Sequence, residues 1–347
     1  MAYTTIDKPT DYFNTVLWTG NGADDRNITG VGFQPDLVWL KERTNTSFHL
    51  LANSIIGATP HLFSNENLAE ITDTTNRLQA FQSDGFQVGS DGTVNQNSET
   101  YVAWNWLAGG TASSNTDGSI TSSVSANTTA GFSIVSWTGT EASATVGHGL
   151  GVTPDVMILK NRVDAVDWIV YHSALDSSPK DYFLRLNEAN AKGASSTTFD
   201  ATAPTSTVFS VGNNSNTNGS SDGMIAYCFA EKKGYSKTGS YTGNGNSDGT
   251  FVYTGFKPAV IIAKLSSGVS DWRIYDNKRL GYNVDNNPIR INDSRAEETD
   301  DNIDFLSNGF KWRTTDGALN GSGSTYFYMA FASNPFVTST KIPTTAR

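Results

Sequence analysis

The sequence has little that could be cross-linked or inserted into a membrane. It contains a single cysteine, Cys228, so no disulfide can form within the chain. No apolar run approaches the roughly 18 residues of a membrane-spanning helix, and the first residues lack the pattern of a signal peptide. We therefore expect a soluble protein assembled in a cytoplasm, or one that leaves it without a classical signal.

Basic residues are also in short supply. Lys and Arg number 24 against 34 Asp and Glu, which gives a net charge of −10 and a pI of about 4.8. Nucleic acids and anionic membranes are bound by clustered cationic side chains, so we expect neither as a partner. Helical periodicity is scarce, and the best candidate is a short segment at 65–71. The 32 glycines, the 11% aromatics and abundant Ser, Thr and Asn favour short strands joined by turns.

One sequence pattern, however, occurs three times. It consists of Pro, an apolar run and then Lys. Such a run, bounded by Pro and a charge, predicts a strand that is buried on both faces. Pro suits the first position, because its missing N–H costs nothing before the hydrogen-bonded ladder begins. The copies cover 35–41, 154–160 and 258–264, and they end at Lys41, Lys160 and Lys264.

Further blocks recur around these strands in a constant order. A Trp/Tyr-Thr-Gly turn precedes each copy, and an aromatic strand, an Asn with Ala four residues later, a turn ending in Phe and a closing aromatic strand follow it. Six blocks in one order indicate an internal triplication. We align the closing strands on Ala103, Ala226 and Ala330. In the repeated strand we expect the equivalent positions to be Trp39, Met157 and Ile261.

The triplication predicts an all-β chain of three tandem antiparallel β-sandwich repeats, jelly-roll or lectin-like in type. A propeller is the disfavoured alternative, because three blades are fewer than the usual four. The Gly/Ser/Thr-rich segment 108–131 reads as a flexible linker, although its weak alternation also suits an extended strand on a neighbour. The predicted divisions are an N-terminal arm at 1–12, unit 1 at 13–107, the linker at 108–131, unit 2 at 132–232, unit 3 at 237–333 and a C-terminal tail at 334–347.

The sequence shows no constellation typical of catalysis or metal binding. Of its four histidines, His49 and His172 fall in matching places on the aromatic strand, but no ligand cluster is evident. The Gly-Asn-Gly turns at 20–22 and 243–245 lack the Lys and helix of a phosphate loop, so they more simply supply positive φ angles. The carboxylates of Glu297 and Glu298 lie in a polar run that we expect to be solvated. We find no nucleophile elbow and no calcium loop, and we expect no enzyme activity, no metal and no cofactor.

The candidate contacts with a glycan or a partner lie in the recurring blocks. A tryptophan face can stack on the apolar side of a sugar, and a recurring lysine invites a ligand. The simpler interpretation is structural, because aromatic rings dominate cores and a strand-end lysine limits extension and reaches to water. The candidates are Trp168, Trp272, Lys160, Lys264, Asn187 and Asn292.

Several stretches resemble a family of marine bacteriophage virion proteins, of cyanophage and pelagiphage type. They are Ala-Tyr-Thr-Thr-Ile-Asp-Lys at 2–8, Gly-Phe-Gln-Pro-Asp-Leu-Val-Trp at 32–39, Tyr-Val-Ala-Trp-Asn-Trp at 101–106, and 226–237, 239–245, 306–311 and 343–347. The resemblance covers essentially the whole chain. It implies a structural part of the virion and carries no catalytic residues. The chain departs from the family after His49, where Leu-Leu-Ala-Asn at 50–53 replaces an expected Asp and Arg.

This resemblance implies a non-enzymatic virion structural protein that is assembled in the host cytoplasm. A fibre that reaches a receptor needs a rod of heptads, collagen-like triplets or β-helix, and the sequence has none. An exterior capsid decoration, cement or knob-like protein is therefore preferred, and a tail-associated, glycan-binding receptor-binding protein of tail-fibre type is the alternative. The expected partners are capsid or tail subunits, further copies of the chain and, for the alternative, a host surface glycan. Both polar ends are expected to be disordered unless a partner holds them.

Overall fold

The computed structural model describes residues 4–279, 283, 287–300 and 303–335. Over these residues the chain is all-β, with several antiparallel sheets and helix confined to single turns. The strands fall into part I (13–107), part II (108–232) and part III (236–335), and each part holds one large sheet and one small sheet. Of the predicted tail, only Asn334 and Pro335 are described, and they end the last strand.

Part I follows a short 3-10 turn at Pro9–Asp11. Its elements are β1 (Phe13–Thr19), β2 (Arg26–Thr29), β3 (Leu37–Glu42), β4 (Leu50–Asn53), β5 (Gly57–Phe63), β6 (Ile71–Thr72), β7 (Leu78–Gln82), β8 (Gly85–Val88), α1 (Gly92–Asn95) and β9 (Thr100–Trp106). The large sheet has the order β1-β9-β3-β4-β5-β6 and the small sheet the order β2-β8-β7. The segment predicted to be helical at 65–71 is not helical.

Part II has the same plan with two extra strands at its beginning. Its elements are β10 (Ser113–Asn115), β11 (Ser122–Asn127), β12 (Phe132–Thr138), β13 (Ala144–Gly147), β14 (Val156–Asn161), β15 (Ile169–His172), a 3-10 turn (Pro179–Asp181), β16 (Tyr182–Arg185), β17 (Gly193–Ala194), β18 (Val208–Val211), α2 (Ser215–Asn218) and β19 (Gly223–Phe229). The large sheet has the order β10-β11-β12-β19-β14-β15-β16-β17, and β13 pairs with β18 in the small sheet.

Part III ends the described chain. Its elements are β20 (Ser236–Thr242), β21 (Phe251–Tyr253), β22 (Phe256–Leu265), β23 (Arg273–Asp276), β24 (Ile289–Arg290), β25 (Ile303–Leu306), β26 (Gly309–Trp312) and β27 (Thr325–Pro335). The large sheet has the order β20-β27-β22-β23-β24 and the small sheet the order β21-β26-β25. The three large sheets share one order of four strands. In each, β1, β12 or β20 pairs with the closing strand (β9, β19 or β27), and the closing strand pairs with the Lys-containing strand (β3, β14 or β22). The Lys-containing strand then pairs with the aromatic strand (β4, β15 or β23).

Both faces of each large sheet are covered, which explains the uninterrupted apolar runs that end in lysine. One face of every large sheet contributes to a single central core that all three parts share. The opposite face packs against the small sheet of the same part and forms a separate peripheral core. Alternate residues of one strand therefore enter different cores, and every position of β3 and β14 is buried.

The pairing registers correct two of the predicted equivalences. Trp39 lies two residues before its lysine and enters the central core, as Ile158 and Ile262 do, so the alignment with Met157 and Ile261 is wrong. A slip of one residue transfers a side chain to the other face of the sheet. In the closing strands, Ala103 and Ala226 correspond to Tyr328, and the alignment with Ala330 is also wrong. A slip of two keeps every side chain on the same face, so alternation alone could not detect it.

The segments thought to lack structure are part of the fold where they are described. Within 108–131, β11 pairs with β12 and β10 pairs with β11, so the strand alternative is correct and the plain linker is wrong. The described part of the predicted N-terminal arm is also anchored, because Ile6 is 1% exposed and lies in the central core. Burial of this one apolar side chain stabilises the folded position of an arm that is otherwise polar.

Candidate functional site

The six residues singled out in the sequence come together at the contact surfaces between the parts, which we call seams. Lys160 and Trp168 of part II reach into part I across seam I/II. Lys264 and Trp272 of part III reach into part II across seam II/III. The remaining two, Asn187 and Asn292, hold the tryptophans in place from within their own part.

The two tryptophans fill the central core and tie neighbouring parts together. Trp168 has no exposed surface, and its Nε1 donates a hydrogen bond to the carbonyl oxygen of Phe63 at 2.9 Å. Trp272 is 2% exposed, and its Nε1 donates to the carbonyl oxygen of Arg185 at 2.8 Å. Neither ring face is open to a sugar in this structure, and a buried indole that is also hydrogen-bonded is a strong anchor.

The recurring asparagines fix the backbone at each tryptophan. The Oδ1 atom of Asn187 accepts the backbone N–H of Trp168 at 2.9 Å, and Asn292 accepts that of Trp272 at 2.7 Å. Their Nδ2 atoms donate to Asp167 and Asp271, both at 2.9 Å. These side chains are half-buried and their hydrogen-bonding groups are used within the protein, so they act as braces for the seam.

The strand-end lysines, Lys41, Lys160 and Lys264, are fully buried, so the expectation that they reach water is wrong. The Nζ atom of Lys160 donates to the carbonyl oxygens of Asn161 and Val166 at 2.7 and 2.8 Å, and to Asn67 of part I at 3.4 Å. Burial disfavours the ammonium form and lowers the pKa of each strand-end lysine to about 8. A ring of carbonyl acceptors compensates part of that cost.

Seam III/I closes the arrangement, with His49 in the place that tryptophan occupies elsewhere. Its backbone N–H donates to Asn65 at 2.8 Å, and its Nε2 donates to the carbonyl oxygen of Arg290 in part III at 2.9 Å. Desolvation by burial lowers the pKa of His49 well below its ordinary value, so the ring is neutral. The predicted match between His49 and His172 is wrong. His172 pairs with Val156 as Asn53 pairs with Leu37, so His172 corresponds to Asn53, which lies four residues after His49.

His172 itself belongs to a second set of cross-seam contacts. The set contains Asn53, His172 and Asp276, which end the aromatic strands of parts I, II and III. The Nδ2 of Asn53 donates to Tyr227 Oη at 3.0 Å, and the Nε2 of His172 donates to the carbonyl of Tyr328 at 3.3 Å. Asp276 accepts from Trp104 Nε1 at 3.0 Å. Each residue thus bonds to the closing strand of the next part, and the contacts run once around the molecule.

A third set consists of backbone and ionic links that sequence reasoning missed. In seam I/II, Arg162 donates to both carboxylate oxygens of Glu70 at 2.6 and 2.8 Å. In seam III/I, Arg43 donates to both oxygens of Glu297 at 2.9 and 3.0 Å. The glutamates stand five residues after the recurring asparagines, and the arginines stand two residues after the lysines. This recurring spacing could have predicted the two ion pairs. In seam II/III the corresponding residues keep only a backbone bond, from Lys192 N to the oxygen of Ser266 at 3.1 Å.

Seam III/I also holds a chain of buried charges. Arg279 has a side chain that is 1% exposed, and it donates to Asp276 at 2.7 Å and to Glu297 at 2.8 Å. Burial opposes the charge on Glu297, but the Arg43 hydrogen bonds and the Arg279 cation outweigh it and lower the pKa of Glu297 to about 2. Glu297 is therefore not the solvated carboxylate expected from its polar surroundings.

The Gly-Asn-Gly turns have a structural role. Gly22 and Gly245 both adopt a φ of 67°, as the turn interpretation predicted. At Gly20 and Gly243 the reason is different, because a Cβ atom would lie 1.9 Å from the oxygen of Gln96 or 2.3 Å from that of Gly321. The chain needs glycine there for close approach and not for its φ angle.

The described residues offer little that resembles a catalytic or metal centre. They contain no group of three His, Cys, Asp or Glu side chains that could hold a metal ion, and none of their helical segments is long and apolar enough to cross a bilayer. Glu42 and Asp91 are among the residues that line a surface depression of about 430 Å³. Asp91 accepts the backbone N–H of Thr93 as the cap of α1, and Glu42 accepts from Asn45.

Comparison with known proteins gives a family but no activity. The family described as "Domain of unknown function (DUF7483)" matches residues 8–335. No curated protein matches the chain.

Proposed function

We propose that this chain, which belongs to the DUF7483 family, is a non-enzymatic structural protein of a bacteriophage virion, with its place on the outside of the capsid. The observation that carries the proposal is the closed set of seams. Domains in one chain normally move against each other unless their interface is large and apolar. Here the three parts share one core, and cross-seam hydrogen bonds join each pair of neighbours. A rigid block of this kind suits a load-bearing role. The resemblance in sequence to bacteriophage virion proteins is the reason for placing that role in a virion.

We also propose that the three parts are three tandem β-sandwich repeats. The common strand order of the large sheets supports this reading, as do the facing small sheets and the residues that recur at each seam. Successive contacts run from part I to II, from II to III and from III back to I. Head-to-tail contacts that close after three steps make a ring, which a single chain achieves here without oligomerisation.

Copy number tests the location. Purified particles would be digested, and the chain would be quantified by mass spectrometry against the major capsid protein. On the order of hundreds of copies per particle support decoration, whereas about six or twelve copies would move the protein to the tail and support the receptor-binding alternative. Absence from particles would refute both.

The non-enzymatic part of the proposal has its own test. The protein would be incubated with the surface polysaccharide of the host, and new reducing ends would be measured over time. We expect none. Release of oligosaccharides that disappears in the Glu42→Gln/Asp91→Asn variant would instead establish a depolymerase at the depression between those two residues.

A further inference from the structure

The small sheet of part III exposes two aromatic rings on its outer face. Phe251 is 45% exposed and Tyr253 is 56% exposed, while Val252 between them is 7% exposed and points into the peripheral core. This alternation is that of a strand with one wet face. Two adjacent exposed rings form an apolar surface patch that the fold leaves uncovered.

The fold does not require aromatic residues there. Val252, Ile28 and Val146 occupy one position in the three small sheets, because each pairs with the phenylalanine of the neighbouring strand. The positions on either side of that residue are polar or small in the other two parts. They are Asn27 and Thr29 in part I, and Thr145 and Gly147 in part II.

The neighbouring strand carries no side chain beside the Phe251 ring. Gly309 pairs with Tyr253, and a Cβ atom on Gly309 would lie 3.0 Å from Cε2 of Phe251. The same atom would lie 2.1 Å from the oxygen of Val252, so a larger residue is excluded. The Phe251 ring therefore rests beside bare backbone, and the patch is shallow and open.

A polar rim with balanced charge borders the rings. Lys311 pairs with Phe251 on one side and with Asp304 on the other. Its Nζ lies 2.7 Å from the carboxylate of Asp248, and Arg313 bridges Asp248 and Asp304. The side chains of Asp248 and Arg313 are 69% and 39% exposed, so their remaining donors and acceptors face solvent.

We propose that this face binds a neutral, pyranose-containing glycan, with the apolar side of a sugar ring on Phe251 and Tyr253 and its hydroxyls on the rim of Asp248 and Arg313. Aromatic faces carry negative partial charge, which attracts the weakly positive C–H groups of a sugar. Hydroxyls both donate and accept, and so they match a rim that offers carboxylate acceptors and guanidinium donors.

Size and charge favour this ligand over others. Three strands of about four residues span on the order of 200 Å², well below the roughly 800 Å² per partner of a stable protein interface. The rim sums to no net charge, and the chain carries −10, so an anionic sugar or a nucleic acid gains nothing from long-range attraction. The site does not depend on where the protein sits in a particle.

Saturation-transfer NMR and calorimetry with maltose, cellobiose and lactose test the proposal on the full chain, with sialyllactose as the acidic probe. We expect weak binding of at least one neutral disaccharide, weakened about tenfold or more in Phe251→Ala/Tyr253→Ala. Tyr253→Phe should retain binding within a few-fold, because the ring remains. Asn27→Ala/Thr29→Ala, the matched change in part I, should have no effect.

The thermal melting of each variant would be compared with that of the wild type, and the single variant Tyr253→Ser would replace the double variant if that one unfolded. Failure of all three neutral disaccharides to bind the wild type would overturn the proposal. So would equal binding by the variants that lack a ring, or a preference for sialyllactose.

Discussion

Removing the charge of Glu297 tests whether the seams hold the three parts together. In Glu297→Gln, Arg43 and Arg279 lose the carboxylate that joins them, and Arg279 is too deeply buried for water to replace it. A pKa that falls from the ordinary 4.5 to about 2 corresponds to about 3 kcal/mol, since one pKa unit is worth about 1.4 kcal/mol. Breaking a buried ion pair by removing one partner costs about the same, 3–5 kcal/mol.

The pH dependence gives this prediction its sign. The pKa of Glu297 is lower in the folded than in the unfolded protein, so its contribution is fully present above pH 4.5 and is lost as the pH falls towards 2. The difference in unfolding free energy between wild type and Glu297→Gln should therefore be about 3 kcal/mol at pH 7 and should shrink steadily between pH 4.5 and 2.

Urea unfolding followed by tryptophan fluorescence measures this difference, and seam I/II supplies the matched control. Glu70→Gln removes a carboxylate that faces Arg162 alone, with side chains that are 15% and 23% exposed, and should cost about 1 kcal/mol. If Glu297→Gln cost no more than Glu70→Gln, or if its effect stayed constant down to pH 2, the reasoning would be refuted.

Three further outcomes follow from the seams and turns. Trp272→Phe should lower the unfolding free energy by about 2 kcal/mol, because it removes a hydrogen bond and core volume; a urea midpoint equal to that of wild type would contradict this. Gly243→Ala should be destabilised or insoluble, since its Cβ would overlap the oxygen of Gly321, whereas the exposed Gly317, with nothing near its Cβ, should accept Ala without loss. The unfolding free energy should rise between pH 8 and 9.5, by roughly 1.5 kcal/mol for each strand-end lysine, because the unfolded chain binds more protons than a fold in which these pKa values are about 8; a flat or falling profile over that range would show that the lysines keep ordinary pKa values.

The family match covers residues 8–335 and gives no activity. The virion role therefore depends on copy number in particles, and the glycan site on binding measurements with the matched variants, so the failure of one leaves the other standing.

The central strands could be predicted from the sequence, because a short apolar run bounded by Pro and Lys is typical of a buried strand. The all-β class and the turn glycines followed from the same local rules. Alignment between the parts was less secure. Trp39 was aligned with Met157 and Ile261, which lie on the opposite face of the sheet, because a slip of one residue exchanges the two faces of a strand. The extra strands β10 and β11 were taken for a linker, because edge strands of Ser and Thr carry almost no apolar signal.

Local patterns in the sequence were enough to predict that buried strands recur and where they lie along the chain. They could not predict that one face of each large sheet meets the other two large sheets in a common core. Nor could they predict that Trp168, Trp272 and His49 occupy equivalent places at the three seams. Local pattern reports that a side chain is buried, but burial against its own small sheet and burial against another part look alike in sequence. The partner of a buried group is set by contacts between residues far apart in the chain. For this reason the strand-end lysines, which were predicted to reach water, and Glu297, which was predicted to be solvated, lie between the parts of the protein.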